Sequence, residues 1–457
     1  MSDAQGGLGA DLRLAWLLTR GSDRREWWRV GLTAAGAALV TGIGLVSVTL
    51  ATLDGYYSVP VGAGLLNSSS DRAGVVFALL LLLVPVLGFL GQCARVGAVH
   101  RDRRLAALRL AGAGAGQVRR IAALETGLAC LVGAVPATVA AGVVLLRLWS
   151  APQPVTWAGL ALVAVAVPVL GAAVSALALR RVVASPLGRV RRVRSTPGPG
   201  RAFRVATVLL VLLVAGTLAA PFAVRPAGFP LAQLTVLFLT LLVGAGAVWL
   251  TGGTSRLLGR VCAARAERPA LLIAAERLHD DPWAAARSHA AVLLVTVVGT
   301  GFVGVRQALL AALHRAGPDS LAADPSYYTT GLDLSGAAIL VALGLVLSGL
   351  AVGTAESVAT RRRGLAAQTA AGVPQSVLRR ALLLETALPL APAVLLAGTG
   401  GMAVGLWYGV LTGHGVLSVP YAALLVPVAV YAGCLLAAAT ALPLLRRSLH
   451  PAELRYT

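Results

Sequence analysis

The charged residues of this chain that could do chemistry occur in one basic element that is present twice. Residues 101–128 and 361–388 align without a gap at a constant offset of 260, and they share 13 identities. Roughly three identities would be expected between segments of so biased a composition. Arginines and one glutamate are among the identical positions. Each copy could therefore form ion pairs and bind another protein. The duplication indicates that this element is where function should be sought.

Catalytic chemistry is not indicated anywhere else in the chain. The sequence contains no lysine, so it has no Walker A phosphate-binding loop, and the HExxH, CxxC and GxSxG patterns are also missing. Its six histidines are scattered over distant segments. The apolar runs lack the buried acidic or histidine relay typical of a proton-coupled carrier. We therefore expect neither an enzyme nor a cofactor in this chain.

The composition indicates a membrane protein with many spans. A mean hydropathy of +0.81, with 57% hydrophobic and 12% charged residues, leaves too little charge for the surface of a soluble chain of 457 residues. Because a spanning helix needs about 20 apolar residues, the hydropathy pattern predicts an all-α polytopic protein with about ten transmembrane helices. The predicted spans are residues 30–50, 74–95, 121–148, 156–179, 205–224, 231–250, 290–312, 335–356, 381–411 and 421–445.

The positions of the arginines predict the orientation in the membrane. If the N-terminus is cytoplasmic, 34 of the 39 basic residues lie inside and only Arg72, Arg147, Arg225, Arg306 and Arg315 lie outside or towards that side. We therefore expect a protein of the bacterial cell membrane with both termini in the cytoplasm. The net charge of +21 is then explained by topology and by attraction to anionic lipids, without a nucleic-acid partner.

The order of spans predicts two parallel four-helix repeats separated by two further helices. Both repeats begin and end in the cytoplasm, so an axis along the membrane normal relates them. The expected segments are a cytoplasmic amphipathic segment at 1–29, a first four-helix module at 30–180, a basic cytoplasmic linker at 181–204, two intervening helices at 205–250, a second cytoplasmic amphipathic segment at 251–289, a second module at 290–446 and a cytoplasmic tail at 447–457.

Within the repeated element, helical periodicity places small apolar residues on one face. Leu105 and Leu108 share this face with Ala111 and Gly112 in the first copy. The equivalent positions of the second copy hold Leu365, Ala366, Ala370 and Gly372. Such a ridge, flanked by arginines and connected to two spans, could insert into a groove on a cytoplasmic partner. The alternative is an inert interfacial loop held by arginines at the lipid headgroups.

Two glutamates lie where each copy enters the following span. Glu125 follows Arg119 and Arg120 by five to six residues, and Glu385 follows Arg379 and Arg380 in the same way. One interpretation is an interfacial carboxylate that is paired within its own helix. The other is a carboxylate that fixes the angle of the basic helix. The sequence leaves both open.

The doubled pattern resembles the FtsX-like permeases of the mechanotransmission class of ABC transporters. It consists of an arginine-rich start, Leu-Ala, a central Ala-Gly, Arg-Arg and a closing Leu-Glu-Thr, at 101–126 and again at 361–386. The close of each module, at 185–187 and 451–455, is also similar to the usage of that family. The ten-helix plan is similar to bacitracin-resistance-type permeases. However, only a short loop stands where those proteins carry a large external domain.

The resemblance implies a permease subunit that works with a separate ATP-binding subunit. That partner would bind ATP and Mg, two copies would serve one permease chain, and the repeated element would be its coupling helix. The residues that would couple the two subunits are Arg101, Leu105, Leu108, Gly112, Arg119, Arg120 and Glu125 in the first copy, and Arg361, Leu365, Gly372, Arg379, Arg380 and Glu385 in the second. Leu105 and Leu365 are expected to bury in grooves of the ATPase.

The resemblance also suggests a function, namely export or membrane extraction of an amphipathic or apolar compound such as an antimicrobial peptide. A second hypothesis is a transmembrane relay or drug sensor that acts on an external protein or a sensor kinase without moving a substrate. A third is a carrier driven by an ion gradient, which would work without an ATPase.

The orientation can be tested with single cysteines in a background without the native ones. Cysteines that replace Asp71 and Asp319 should react with an impermeant thiol reagent in intact cells, and one that replaces Ser195 should not. The asymmetry of the arginines is the reason for this expectation. Reaction at position 195 without permeabilisation would show that the predicted orientation is wrong.

Overall fold

Long helices make up most of the described parts of the chain, and these parts contain no β-strand. The structure is a computed structural model that describes residues 24–58, 62–93, 107–149, 153–178, 229–316, 324–411 and 420–443, together with Gly9, Arg13 and Leu17. A lipid core offers no hydrogen-bond partners for backbone groups, so apolar segments of this length form helices that satisfy their own amides and carbonyls. The predicted all-α membrane fold is confirmed.

Eleven α-helices are named here in chain order, together with one 3₁₀ turn at Tyr421–Leu424. They are α1 (Arg24–Ala51), α2 (Ser69–Cys93), α3 (Ala115–Leu148), α4 (Pro154–Ala178), α5 (Phe229–Ala264), α6 (Pro269–Asp280), α7 (Pro282–Ala316), α8 (Pro325–Thr360), α9 (Arg362–Ala370), α10 (Gln375–Leu411) and α11 (Leu425–Ala439).

Nine helices in the described part of the chain are long and apolar enough to cross a membrane. Each coincides with one of the ten predicted spans, so the chain is a multi-pass membrane protein. The tenth predicted span, 205–224, lies outside the described residues, as do the predicted linker at 181–204, the tail at 447–457 and most of the segment at 1–29.

Two compact units make up the fold, and the same three helices of each module pack together in both. The first unit consists of residues 1–58, 66–79 and 89–194, and the second of residues 59–65, 80–88 and 195–457. In the first unit α1, α3 and α4 pack against one another. In the second unit their counterparts α7, α10 and α11 do the same, and α5 packs against both α7 and α10. The repeat predicted from the basic element therefore extends to helix packing.

Several helices extend beyond the boundaries predicted from hydropathy. Helix α5 continues past residue 250 to Ala264, so only the later part of the predicted amphipathic segment 251–289 forms a separate short helix, α6. Helices α3 and α10 start six residues before the predicted spans 121–148 and 381–411. Once a helix has formed, each further residue adds one backbone hydrogen bond, so the helix can continue into a polar segment. Hydropathy therefore underestimates the length of the helix.

Glycines permit the closest helix crossings. In the first unit a methyl group on Gly133 of α3 would overlap the backbone carbonyl of Ala34 in α1. In the second unit Gly401 of α10 is in the same relation to the carbonyl of Val297 in α7, and a Cβ on Gly405 would lie 2.9 Å from the carbonyl oxygen of Gly301. Small residues let backbones approach in this way, which strengthens packing where no hydrophobic force drives helices together in lipid.

A buried arginine organises the loop between α1 and α2. Arg72 is 1% exposed. Its Nη1 donates to the carbonyls of Leu66 and Asn67, and its Nη2 donates to those of Leu53 and Gly55, at 2.6 to 3.0 Å. The planar guanidinium can bind four carbonyls in this way because its donors are fixed in a fork. One side chain of α2 therefore ties the two described ends of this loop together.

The close crossing of α1 and α3 predicts opposite effects for the same substitution at two glycines of α3. Gly133→Ala should lower the thermal stability of the purified protein by several degrees, because α1 must move away from the new methyl group. Gly142→Ala should leave stability unchanged or raise it slightly, since nothing lies within 4 Å of a Cβ there and alanine favours the helix. Equal effects at both sites would contradict the described crossing.

Candidate functional site

The second copy of the basic element is a short helix that ends in a sharp turn. One residue, Arg361, separates the end of α8 from the start of α9, which stops at Ala370. Gly372 follows with a φ of +89°. Its amide donates to the carbonyl of Thr369, and the amide of Val373 donates to that of Gln368, both at 3.0 Å. These two bonds form a Schellman motif, which ends a helix and redirects the chain. The long helix α10 then begins at Gln375.

The first copy has the same turn after a short helix, of which residues 107–110 are described. Gly112 has a φ of +97°. Its amide donates to the carbonyl of Arg109 at 3.1 Å, and the amide of Ala113 donates to that of Leu108 at 3.0 Å. A positive φ is readily adopted by glycine and disfavoured for other residues. The identical Ala-Gly pair in both copies is thus explained, because the turn requires this glycine.

Each turn is held against the following helix by a small apolar cluster. In the second copy Val358, Leu365 and Leu378 form the buried cluster, and Val373 packs against it with Ile273 of α6 and Leu382 of α10. In the first copy Leu108 and Ala113 pack against Val118 and Ala122 of α3. A hydrophobic contact next to the turn commonly accompanies the Schellman motif. The clusters fix the direction of each short helix relative to its long one.

The prediction that Leu365 contacts a partner protein is wrong. We predicted that this leucine would insert into a groove of a partner, but it is 4% exposed and packs inside its own chain. Ala366 is buried as well, at 2%. Helical periodicity correctly placed these residues on one face, but that face is directed towards the protein. An aspartate at Leu365 would therefore have to be desolvated within this cluster, which would destabilise the fold itself.

The solvent-exposed side of each short helix carries small apolar residues instead. In the second copy Ala367, Ala370, Ala371 and Gly372 are exposed. Their counterparts in the first copy, Ala107, Leu110, Ala111 and Gly112, are exposed too, and Leu110 reaches 80%. We call each set an outer ridge. Three of the four positions are identical between the copies, so the repeat itself was a signal for Ala107 and Ala367 that our sequence analysis did not use.

Glu385 connects three helices at this site. Its Oε2 accepts from Nη1 of Arg277 in α6 at 3.1 Å, and its Oε1 accepts from Nη1 of Arg361 at 2.5 Å. Arg361 caps the start of α9, and Glu385 lies in the third turn of α10. Its partners are therefore in other segments and not in its own helix. Of the two interpretations left open by the sequence, this geometry favours a carboxylate that fixes the angle of the basic helix.

Glu125, the counterpart in the first copy, is buried at 3% exposure. The adjacent Thr126 donates a hydrogen bond to Ser175 of α4 at 3.0 Å, and Ser175 donates to the carbonyl of Ala122 at 3.3 Å. The closing Leu-Glu-Thr of the first copy thus links α3 with α4. Arg101, the counterpart of Arg361, lies outside the described residues, and so does Leu105.

The four predicted Arg-Arg positions lie at the start of the long helices. Arg119 and Arg120 are exposed in the second turn of α3, and Arg380 is exposed at the same place in α10. Arg379 differs, since it is only partly exposed and lines a cleft. None of the four contacts Glu385 in the ion pairs above. No group of three His, Cys, Asp or Glu side chains within the described ranges is placed to hold a metal ion.

Comparison with protein families identifies the first module. Residues 73–187 match the model of the FtsX-like permease C-terminal domain. The matched region starts in α2 and includes α3 and α4. The match includes the whole first copy of the basic element, from Arg101 to Thr126, and the second copy lies beyond it. No curated protein matches the chain.

The general role of this family is known. FtsX-like proteins are permease subunits of ABC transporters, and they are generally not enzymes themselves. They typically work with ABC ATPase subunits. The predicted resemblance to this family is confirmed over the matched residues, 73–187.

The ion pairs of Glu385 predict how firmly α9 is held. Glu385→Gln should raise the hydrogen-exchange rate of the α9 amides by about two- to tenfold, because partly exposed ion pairs of this kind contribute only up to about 1 kcal/mol each. Glu276→Gln removes the same charge from an exposed position of α6 and should leave those rates unchanged. Unaltered exchange in the Glu385 variant would show that the ion pairs do not hold the helix.

Proposed function

We propose that this chain is the membrane permease subunit of an ABC transporter and that its two outer ridges dock the ATP-binding subunits. The observation that carries the proposal is the matched geometry of the two turns, which present identical alanines and glycine at three of the four ridge positions and an apolar residue at the fourth. A surface of alanine and glycine lets a partner approach the backbone closely. Two matched ridges suit a partner that is itself present in two copies.

The connection between ridge and membrane supports a mechanical role. Each ridge is joined through the glycine turn to a long spanning helix, α3 or α10, and is braced by an apolar cluster. In the second copy Glu385 adds α6 to this assembly. Packed elements of this kind move as units. Motion of a docked ATPase would therefore reach the spans, with the ridge side in the cytoplasm as the arginine asymmetry predicts.

Negative charge on both ridges should break the association with the ATPase. We expect Ala107→Glu together with Ala367→Glu to abolish co-purification of an ATP-binding cassette subunit from native membranes, and each single change to reduce it in part. Glutamate keeps a high helix propensity, so the short helices should persist, but its carboxylate would have to be desolvated at the docking contact. In the unaltered complex, mass measurement should give two ATPase chains per permease chain.

Ser376→Glu is the control for this experiment. Ser376 is exposed in the first turn of α10, beyond the turn that carries the ridge, and the added charge is the same. This variant should bind the ATPase normally. If the double ridge variant also binds normally, or if only one ATPase is present per chain, the proposed docking is wrong.

The transported compound is proposed to be amphipathic or apolar, such as an antimicrobial peptide. The resemblance to export permeases supports this class, and the short loop organised by Arg72 leaves no large external domain between α1 and α2. Other FtsX-like proteins that carry such a domain could use it for capture, so in this chain substrate would have to enter among the spans themselves.

Transport can be distinguished from the other two hypotheses in liposomes. With the purified permease and ATPase complex, we expect ATP-dependent movement of a fluorescent cationic antimicrobial peptide and none without the ATPase. ATP turnover without peptide movement would support the relay or sensor instead. Movement driven by an ion gradient in the absence of ATPase would support a carrier. Either of these results would contradict the proposed export.

A further inference from the structure

We propose that the cleft beside Arg379 binds the phosphate headgroup of an anionic lipid of the inner leaflet. The cleft has a volume of about 370 Å³, and it is lined by Arg379 of α10 and by Ala439, Leu442 and Pro443 at the end of α11. Among the described residues, its lining therefore combines one cation with an apolar wall. This binding does not depend on the ATPase or on the export proposed above.

The guanidinium of Arg379 supplies the first part of the argument. Its Nε is buried and has no hydrogen-bond partner among the described residues. Arginine stays charged at any physiological pH, so this donor cannot be neutralised. A buried donor without an acceptor destabilises a protein and requires an explanation, such as an anion that binds there. A phosphate oxygen is the acceptor that best fits an arginine fork.

The apolar wall decides between a lipid and a free phosphate. Ala439 is the last residue of α11, and Leu442 and Pro443 follow it three and four residues later, at one end of this spanning helix. A soluble phosphate would gain nothing from these three side chains. The glycerol and upper acyl carbons of a lipid would bury apolar surface against them while the phosphate meets Arg379. The predicted cytoplasmic side is also where anionic lipids attract basic residues.

The repeat provides matched controls. Arg119 occupies the equivalent position in the first copy, and it is exposed. Arg380 is the neighbour of Arg379 on the same helix and is exposed as well. If general attraction between arginine and lipid explained binding, all three arginines would contribute equally. The proposed site predicts that, of these three arginines, only Arg379 contributes to specific lipid binding.

The proposal can be tested with the purified full-length chain in detergent by native mass spectrometry. The unaltered protein should retain one phosphatidylglycerol more tightly than phosphatidylcholine. Arg379→Gln should weaken this first binding event by about tenfold, as expected for the loss of a charge-assisted bond. Arg119→Gln and Arg380→Gln should bind as the unaltered protein does. Glycerol phosphate in millimolar excess should not displace the lipid.

Other results would overturn the proposal. Equal retention of both lipids, or a first binding event that is the same in the Arg379→Gln variant, would exclude a specific lipid site. Displacement by glycerol phosphate would show that a free phosphate is the ligand. Should Arg379→Gln fail to fold, Arg379→Lys retains the charge but lacks the Nε donor and the fork, and it should still show weaker binding than the unaltered protein.

Discussion

The rest of the proposed coupling element depends on the glycine turn at the end of each short helix. Gly112 and Gly372 have positive φ angles, and each closes the same pair of backbone hydrogen bonds. This conformation stops the short helix and sends the chain directly into a long span. The apolar residues on either side then close into a cluster, and the remaining side of the short helix faces solvent. A side chain at either glycine would strain the turn and with it the position of the ridge.

Ion pairing adds a second constraint in the second copy. Glu385 of α10 forms ion pairs with Arg277 of α6 and with Arg361 at the start of α9, so one carboxylate connects three helices. These side chains are partly exposed, so their contribution to stability is modest. Their effect is to favour one orientation of the short helix α9 relative to α6 and α10. A coupling element needs this property more than it needs stability, because an element that can turn freely does not transmit motion.

Much of the fold could be predicted from the sequence, since its determinants are local. Hydropathy located nine spans that coincide with described helices, and the repeat identified the basic element and its central glycine. Other features depend on contacts between distant segments. Periodicity placed Leu365 on an apolar face but could not show that the face meets Ile273 and Val358 of the same chain. Spacing suggested Arg379 and Arg380 as neighbours of Glu385, whereas its partners are 108 and 24 residues away.

The central claim is that both outer ridges touch the ATP-binding subunit, and site-specific photo-crosslinking in native membranes tests it most directly. A photoreactive amino acid placed at Ala111 and, separately, at Ala371 should form a crosslink to the ATPase from either position, since both alanines are exposed at the turn. The same group at Leu272, which is exposed on α6, gives the background. The account would be contradicted if either alanine failed to crosslink above that background while the complex remained intact.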